Sequence, residues 1–408
     1  MEIIVDRLLA DLDALAQVGS TGDGGSCRLA LTDDDAGGRE LVVGWMRDLG
    51  LDVRVDRIGN VVATRPGTEP DAAPVMTGSH IDTVRTGGRY DGTLGVLAGL
   101  EVVRALDDAG RRTRRPISVA FFTDEEGSRF APDMLGSLVY AGGLDLEEAL
   151  ETVGIDGAVL GDELERIGWA GGTAVPGVVP HAYVELHIEQ GPVLEGADVV
   201  IGAVTGVQGI SWQELTLTGQ ANHAGTTPIR LRRDAGFVAA QVGAFVRQLA
   251  VELGEPMVGT VGRIHHHPDL VNVVAATATL TVDLRHTHDR VLTEAEDRLQ
   301  AYVADVAVLE RVEVAWRQLA RFAPVEFDPA IVARVGDAAQ QRRLTCMRLP
   351  SGAGHDAQML ARVCPTGMVF VPSRKGISHN PGEFTEPDHL WAGASVLLDV
   401  LVDLAEAA

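Results

Sequence analysis

The chain has 408 residues, a length that suits two domains better than one. Hydrophobic residues make up 46% of it and charged residues 23%, a composition that excludes a disordered protein and predicts sizeable cores. The formal net charge of −24 excludes a nucleic-acid-binding protein, because binding a phosphate backbone requires exposed lysine and arginine.

The cysteines and the first residues indicate a cytoplasmic protein. Cys27, Cys346 and Cys364 are too few and too widely spaced for a secreted disulfide framework. Residues 1–19 carry acids among their apolar positions, which predicts an amphipathic helix and not a signal peptide. No apolar run approaches the ~18 residues that a membrane-spanning helix requires. We therefore expect a soluble protein of a reducing cytoplasm, with no nucleic-acid or membrane partner.

Apolar runs of strand length recur in the first half of the chain. They cover residues 75–81, 117–123 and 183–188, and a helical pattern follows Asp91. In that helical segment the apolar positions that share one face are Val96, Leu100 and Val103. Strands separated by helices predict an α/β sheet that is buried on both faces.

The pattern changes between residues 212 and 320, where strands alternate polar and apolar positions. Strands are expected at 212–218, 258–264, 276–284 and 311–316, with a helix at 234–253 and a second one around Leu292 and Leu299. The resulting order, βαββαβ, is that of a ferredoxin-like sheet. We therefore predict an inserted domain at 212–320, within a larger discontinuous domain made of 1–211 and 321–408.

Candidate metal ligands stand where three apolar strands end. They are His80, the pair Glu125–Glu126, and His187. Because ligands bind at the carboxyl ends of strands in open α/β sheets, we expect these side chains to converge. Imidazole and carboxylate bind divalent transition metals, and hydrolytic metal pairs lie ~3.5–4 Å apart. The sequence therefore predicts a metal site at this edge.

Each acidic candidate also has an ordinary structural alternative. Asp91 opens a helix, so it is either a bridging carboxylate or an N-cap, a position that aspartate favours. Asp82 would share a strand face with His80 and could orient its ring. Of Glu125 and Glu126, one could bind metal while the other acts as general base. The alternative for that pair is an exposed acidic turn.

Eight motifs together point to a known family. In chain order they are GSHIDTV, DGTLGVLAGLE, TDEEGSRF, ELHIEQGPVLE, NHAGTTP, VDLR, SGAGHDA and ISHNPGE. From about residue 20 to its end, the chain resembles the amidase/carbamoylase branch of the glutamate-carboxypeptidase-like di-metal hydrolases. That branch holds N-carbamoyl-L-amino acid hydrolases, allantoate amidohydrolases and β-ureidopropionases. HIEQGPVLE and NHAGTTP are specific to it, whereas the HxD and EE elements are shared with dipeptidases and aminoacylases.

The resemblance implies a metallopeptidase-like α/β catalytic domain with a central mixed sheet at 1–211 and 321–408. It also implies that 212–320 is a ferredoxin-like lid and dimerisation domain. Two divalent ions (zinc, manganese, cobalt or nickel) would be bridged by Asp91, and the full ligand set would be His80, Asp91, Glu126, His187 and His379. The implied catalytic residues are Glu125 as base, Asp82 behind His80, and His223. The implied substrate-binding residues are Gln190, His223, Asn272, Arg285 and Gly354. In a homodimer, His223 would reach into the partner's active site.

Two of these residues also have support of their own. Arg285 ends an alternating strand, where its planar guanidinium could hold a carboxylate through two hydrogen bonds. His223 lies in a polar loop from which it could donate to a developing oxyanion, although such a histidine is more often a turn residue. The run His265–His267 departs from the family pattern. Neighbouring side chains point apart, so we expect a solvated loop there and not a metal site.

The expected function is metal-dependent hydrolysis of the ureido C–N bond of N-carbamoyl-L-amino acids, which releases the amino acid, carbon dioxide and ammonia. The alternatives within the branch are an allantoate amidohydrolase and a β-ureidopropionase, whose substrates also combine a ureido group with a carboxylate. An aminoacylase or dipeptidase is disfavoured by HIEQGPVLE and NHAGTTP. An inactive scaffold is disfavoured by the complete ligand set and by Glu125.

Overall fold

A computed structural model describes residues 1–407 of the chain. The chain forms two compact units. Unit 1 comprises residues 1–206 and the segment from 326 onward, and unit 2 comprises residues 207–325. The predicted insertion, 212–320, falls within unit 2.

Strands and helices alternate along unit 1 and recur in unit 2. The strands are β1 Asp52–Val55, β2 Val61–Arg65, β3 Val75–His80, β4 Ile117–Phe122, β5 Ala182–Ile188, β6 Ile201–Val207, β7 Gly209–Thr218, β8 Asn222–His223, β9 Val258–His267, β10 Val273–Val274, β11 Thr277–His286, β12 Glu313–Phe322, β13 Val325–Glu326, β14 Cys346–Ser351 and β15 Thr366–Val371. The α-helices are α1 Val5–Gln17, α2 Asp33–Asp48, α3 Thr93–Asp108, α4 Leu135–Tyr140, α5 Leu146–Leu150, α6 Leu160–Arg166, α7 Val193–Ala197, α8 Ala235–Leu253, α9 Asp289–Glu310, α10 Pro329–Gln341, α11 Asp356–Leu360 and α12 Pro387–Glu406.

Unit 1 is built on a mixed sheet, as the sequence predicted. In the described part of the chain this sheet runs β1-β2-β4-β3-β5-β15-β6-β13, with β14 paired to β6. The central strands β4, β3, β5 and β15 are parallel, and the flanking pairs β1–β2, β2–β4 and β15–β6 are antiparallel. Because the central strands are parallel, their carboxyl ends share one edge, and the candidate ligands follow those ends.

Helix α3 is more deeply buried than the sequence suggested. We expected one apolar stripe, but α3 is buried at every position from Thr93 to Val103. The helix packs on β3 and β5 and also contacts helices α1 and α12. One charged residue, Glu101, is buried there, and it accepts hydrogen bonds from the backbone of Ile4 and from Arg7 at 2.9 and 2.8 Å.

Unit 2 contains a four-stranded antiparallel sheet with the order β12-β7-β11-β9. Helices α8 and α9 pack on one face of it. The core between helices and sheet includes Leu215, Val242, Leu280 and Leu299, all fully buried. With α8 after β7 and α9 after β11, the elements follow the βαββαβ order of a ferredoxin-like sheet.

All four strands of this sheet are longer than predicted, and β9 and β12 run furthest beyond their predicted ends. Strand β9 continues through His265–His267, where we expected a loop, and His267 pairs with Thr277 of β11. Strand β12 runs to Phe322, beyond the predicted end at 316. The loop prediction was wrong because backbone pairing with a neighbouring strand does not depend on apolar side chains. An exposed strand at the edge of a sheet tolerates polar ones.

The two ends of the unit 2 segment meet within the sheet of unit 1. Strands β6 and β13 are neighbours in that sheet. The backbone N–H of Phe327 donates to the carbonyl of Thr205 at 3.0 Å. The chain therefore leaves and re-enters unit 1 at adjacent points.

Candidate metal centre

Three neighbouring strands deliver candidate ligands to one edge of the unit 1 sheet. His80 is the last residue of β3, and His187 is the penultimate residue of β5. The pair Glu125–Glu126 follows β4 after a short turn in which Asp124 has a φ of 56°. Because β4, β3 and β5 are parallel neighbours, the sheet topology itself brings these residues together.

Asp91 lies at the centre of these side chains. One carboxylate oxygen, Oδ1, lies 3.7 Å from Nε2 of His80 and 3.2 Å from Nε2 of His187. The other, Oδ2, lies 3.4 Å from Nε2 of His379. The N-cap of α3 is Gly92, so Asp91 does not serve as the helix cap that we considered as an alternative.

The donor atoms form two groups that share Asp91. One group is His80, Asp91 and His187, and the other is Asp91, Glu126 and His379. Oε2 of Glu126 lies 3.3 Å from Nε2 of His379. Two ligand atoms about 2.1 Å from a tetrahedral ion lie about 3.4 Å apart, so the spacing of both groups fits one transition-metal ion each.

Hydrogen bonds to backbone carbonyls set the tautomers of two histidines. Nδ1 of His80 lies 2.9 Å from the carbonyl of Asp82, and Nδ1 of His187 lies 2.9 Å from the carbonyl of Ile188. When Nδ1 carries the proton for these bonds, Nε2 keeps its lone pair. In both residues Nε2 is the atom that faces Asp91, as metal coordination requires.

Gly92 makes room for one of these rings. A Cβ atom at residue 92 would lie 2.3 Å from Nε2 of His80, and φ of Gly92 is 65°. Glycine is therefore required here for two reasons, steric and conformational.

Burial disfavours the ionised form of the two glutamates in the centre. It raises the pKa of Glu126 to about 8, with the nearby charge of Asp91 as the second cause. Burial also raises the pKa of Glu125 well above its usual range. A hydrogen bond to Asp91 raises the pKa of His379 to about 9. Such a concentration of buried acids suits divalent cations, whose charge would stabilise the ionised carboxylates.

The structure corrects the predicted position of Asp82. Strand β3 ends at His80, so Asp82 does not share a strand face with it. Its backbone carbonyl orients the His80 ring, while its carboxylate lies 3.8 Å from Nδ1 of His80. That carboxylate instead lies 3.3 Å from the backbone N–H groups of both Glu125 and Glu126. Asp82 therefore holds the turn that carries the two glutamates.

One buried acid next to Asp91 was missed by the sequence reasoning. Oε1 of Glu383 accepts from the backbone N–H groups of Tyr90 and Asp91 at 2.9 and 3.2 Å. The hydroxyl of Ser378 lies 3.1 Å from the other oxygen of Glu383 and donates to Oδ2 of Asp91 at 2.9 Å. The signal was present in ISHNPGE, where this glutamate lies four residues after His379.

A second missed acid lies behind His187. Glu185 is fully buried two residues earlier on β5 and accepts from Ser79 at 2.6 Å and from the backbone of Ala357 at 2.9 Å. The ring of His355 stands edge-on to that of His187, with centroids 4.6 Å apart. Through these two hydrogen bonds, Glu185 connects Ser79, the residue before His80, to Ala357, which lies two residues after His355.

The remaining predicted residues lie in both units. In unit 1, the side-chain amide of Gln190 donates to Oδ2 of Asp91 at 2.8 Å. A Cβ atom on Gly354 would lie 2.9 Å from Cε of Met134, so only glycine fits without a shift.

In unit 2, His223 and Asn272 are close together. His223 pairs with Val273, and the carbonyl of Asn272 accepts from Ala224. Arg285 donates to the carboxylate of Asp283 through Nε and Nη2, at 3.1 and 2.9 Å.

The model of peptidase family M20/M25/M40 matches residues 76–403, the stretch that carries all of these candidate ligands. This chain belongs to the peptidase M20 family.

Full-length relatives narrow the assignment within the M20 family. The N-carbamoyl-L-amino-acid amidohydrolase of Rhizobium meliloti is 43% identical, over 98% of this chain and 96% of the relative. The allantoate amidohydrolase of Bacillus subtilis is 33% identical, over 97% and 96%. The crystal structure of a hydantoinase/carbamoylase family amidase from Burkholderia multivorans has a TM-score of 0.98 and 46% identity, covering 100% of this chain and 99% of that one. The M20 chain is therefore an enzyme of the amidohydrolase type, in the amidase/carbamoylase branch.

Within residues 1–407, none of the helices of this M20 enzyme combines the length and the apolar character needed to cross a bilayer.

The two donor groups predict that the M20 enzyme binds two divalent ions per chain. His379 belongs to one group only, so His379→Ala should lose one ion and keep the other. Elemental analysis of the purified variant and parent gives the count. His389→Ala is the matched control, because His389 belongs to neither group and should leave the count at two. One ion, or none, in an active parent enzyme would refute the two-ion centre.

Proposed function

We propose that the enzyme hydrolyses the ureido C–N bond of N-carbamoyl-L-amino acids and releases the amino acid, carbon dioxide and ammonia. The observation that supports it most is the Asp91 carboxylate between two donor groups, with Glu125 beside one of them. Curated full-length relatives from three bacteria, 43%, 39% and 36% identical, are named N-carbamoyl-L-amino-acid amidohydrolases.

In this proposal the metal ligands are those of the two groups. His80 and His187 would hold one ion, Glu126 and His379 would hold the other, and Asp91 would belong to both sets of ligands. Two ions in such an arrangement supply Lewis-acid polarisation of the substrate carbonyl and of a water molecule. Imidazole and carboxylate donors suit zinc, manganese, cobalt and nickel.

Glu125 is the proposed general base. Its Oε2 lies 3.3 Å from Nε2 of His80, so its carboxylate adjoins the first donor group. Its burial favours the protonated form, which makes a proton taken from water available for transfer. Glu125 would accept a proton from the attacking water and deliver it to the leaving nitrogen of the amino acid. The carbamate that remains then decomposes to carbon dioxide and ammonia.

Residues of unit 2 would recognise the substrate. Nδ1 of His223 lies 3.1 and 3.2 Å from the backbone N–H groups of Gly225 and Thr226, so it acts as an acceptor. The proton is then on Nε2, which could donate to an oxyanion. We propose that Arg285 binds the substrate carboxylate, with Asp283 orienting its guanidinium. Gln190, Asn272 and Gly354 complete the proposed substrate-binding set.

We further propose that the enzyme is a cytoplasmic homodimer with composite active sites. Unit 2 exposes several large apolar side chains, which suits a protein interface. They include Ile229 at 75% exposure, Val251 at 70%, Val308 at 77% and Leu309 at 78%. The partner's His223 would then complete each active site.

Allantoate is the principal alternative substrate, because it also carries ureido groups and a carboxylate. An allantoate amidohydrolase is among the full-length relatives, at 33% identity, lower than the carbamoylases named above. A β-ureidopropionase is the third alternative within the branch.

A substrate panel tests the proposed reaction. Turnover should be fastest with an N-carbamoyl-L-amino acid such as N-carbamoyl-L-methionine, and slower with allantoate, 3-ureidopropionate and N-acetyl-L-methionine, with ammonia release as the assay for the three ureido compounds. The last compound has the same side chain but no ureido group, so it is assayed by release of methionine. Faster turnover of allantoate would make the enzyme an allantoate amidohydrolase, and activity on the acetyl compound alone would reject the branch assignment.

Replacing the proposed base should separate catalysis from metal binding. Glu125→Gln should keep both ions and lose about 10²–10⁴ in kcat, the usual size of a general-base contribution. Glu126→Gln is the matched control, since it should lose an ion together with activity. Near-normal turnover of metal-replete Glu125→Gln would mean that the roles of the two glutamates have to be exchanged.

Subunit mixing tests the composite site. His223→Ala and Glu125→Gln should each be inactive, but a mixed dimer would contain one site with both residues intact. With random subunit exchange half of the dimers are mixed, so about a quarter of all sites recover. Activity should return only after exchange. If mass spectrometry confirms exchange and no activity returns, His223 does not act across the dimer.

A further inference from the structure

Three consecutive histidines, His265–His267, lie on the exposed edge strand of unit 2. All three belong to β9, which pairs with β11 on one side only within the described sheet. Their pairing partners on β11 are Thr279, Ala278 and Thr277, in that order. Since side chains alternate along a strand, His265 and His267 share one face and His266 points to the other.

The pairing partners on β11 show on which face of the sheet each histidine side chain lies. Ala278, opposite His266, is fully buried in the core under the helices. Nε2 of His266 lies 3.6 Å from the position that a Cβ on Gly236 of α8 would occupy. His266 therefore points toward the helices, whereas His265 and His267 lie on the open face of the sheet.

The charge that neighbours this pair on the open face is already ion-paired. The guanidinium of Arg263, two residues before His265, is held by Glu214 at 2.5 Å. The side chains opposite the pair are two threonines, Thr279 and Thr277. Within residues 1–407 the imidazoles of His265 and His267 form no hydrogen bond or ion pair, and both residues are exposed. Their nitrogen atoms are therefore available to a ligand from solvent.

We propose that His265 and His267 form a surface site for a divalent transition-metal ion, separate from the Asp91 centre. Alternate residues of a strand lie about 6.6 Å apart at Cα, a gap that two imidazoles can span to bind one ion. A donor set of imidazole alone favours nickel, copper or zinc over magnesium or calcium. With two protein ligands, the other coordination positions are left to water, so the ion is exchangeable.

The test counts metal ions on the intact, metal-loaded enzyme at equilibrium with free Ni²⁺. Equilibrium dialysis against Ni²⁺, followed by elemental analysis of both compartments, should show one ion per chain in addition to the resident ions. Isothermal titration calorimetry should show the same single site. His265→Gln, His267→Gln and the double variant should lose the added ion, while the resident ions stay bound. The readout does not depend on which substrate the enzyme hydrolyses.

His266→Gln is the matched control, because it removes an adjacent imidazole from the opposite face. It should bind the added ion as the parent does. Circular dichroism of each variant verifies that the fold is intact. The proposal is overturned if the parent takes up no added ion or if the double variant still takes it up. It is equally overturned if His266→Gln loses the ion as completely as the other substitutions.

Discussion

The carboxylate of Asp91 has to be held between two groups of donors, and much of unit 1 contributes to holding it. One oxygen faces His80 and His187, and the other faces His379. Gln190 and Ser378 donate to the second of these oxygens, and Glu383 binds the backbone N–H of Asp91. These contacts come from β3, from β5 and from the segment after β15, so the centre can form only when the parallel strands are in register.

The same arrangement concentrates buried acids. Asp82, Asp91, Glu125 and Glu383 are each less than 8% exposed, and the chain as a whole carries a net charge of −24. Burying carboxylates near one another is unfavourable by several kcal/mol per unpaired charge. Divalent cations would offset this cost in the folded state only, because the unfolded chain does not bring the donors together. Metal binding and the stability of unit 1 are therefore expected to be thermodynamically linked.

The sequence was sufficient to predict the features of the fold and the site that follow from apolar periodicity and strand order. Apolar runs ending in His80, Glu125–Glu126 and His187 indicated both the sheet and the edge at which its polar residues meet. What it could not predict depends on the exact path of the backbone. The carbonyl of Asp82, and not its carboxylate, faces the His80 ring because β3 ends one residue earlier than assumed. Glu383 stands in the motif ISHNPGE, but the motif does not show that its carboxylate accepts from the backbone N–H groups of Tyr90 and Asp91. The extension of β9 was missed because the pairing of an edge strand is determined by its neighbour.

The adjacency of β6 and β13 has a consequence for how such an enzyme can change during evolution. A backbone hydrogen bond joins Thr205 and Phe327. The segment between them, which contains unit 2, therefore begins and ends at neighbouring points of the unit 1 sheet. A compact unit with neighbouring ends can occupy such a position without separating the strands of the host sheet. Lengthening, shortening or replacing residues 207–325 would leave the register of β15, β5, β3 and β4 intact. Mutations can thus accumulate in the inserted unit while the sheet edge that carries Asp91 and the candidate ligands is inherited unchanged.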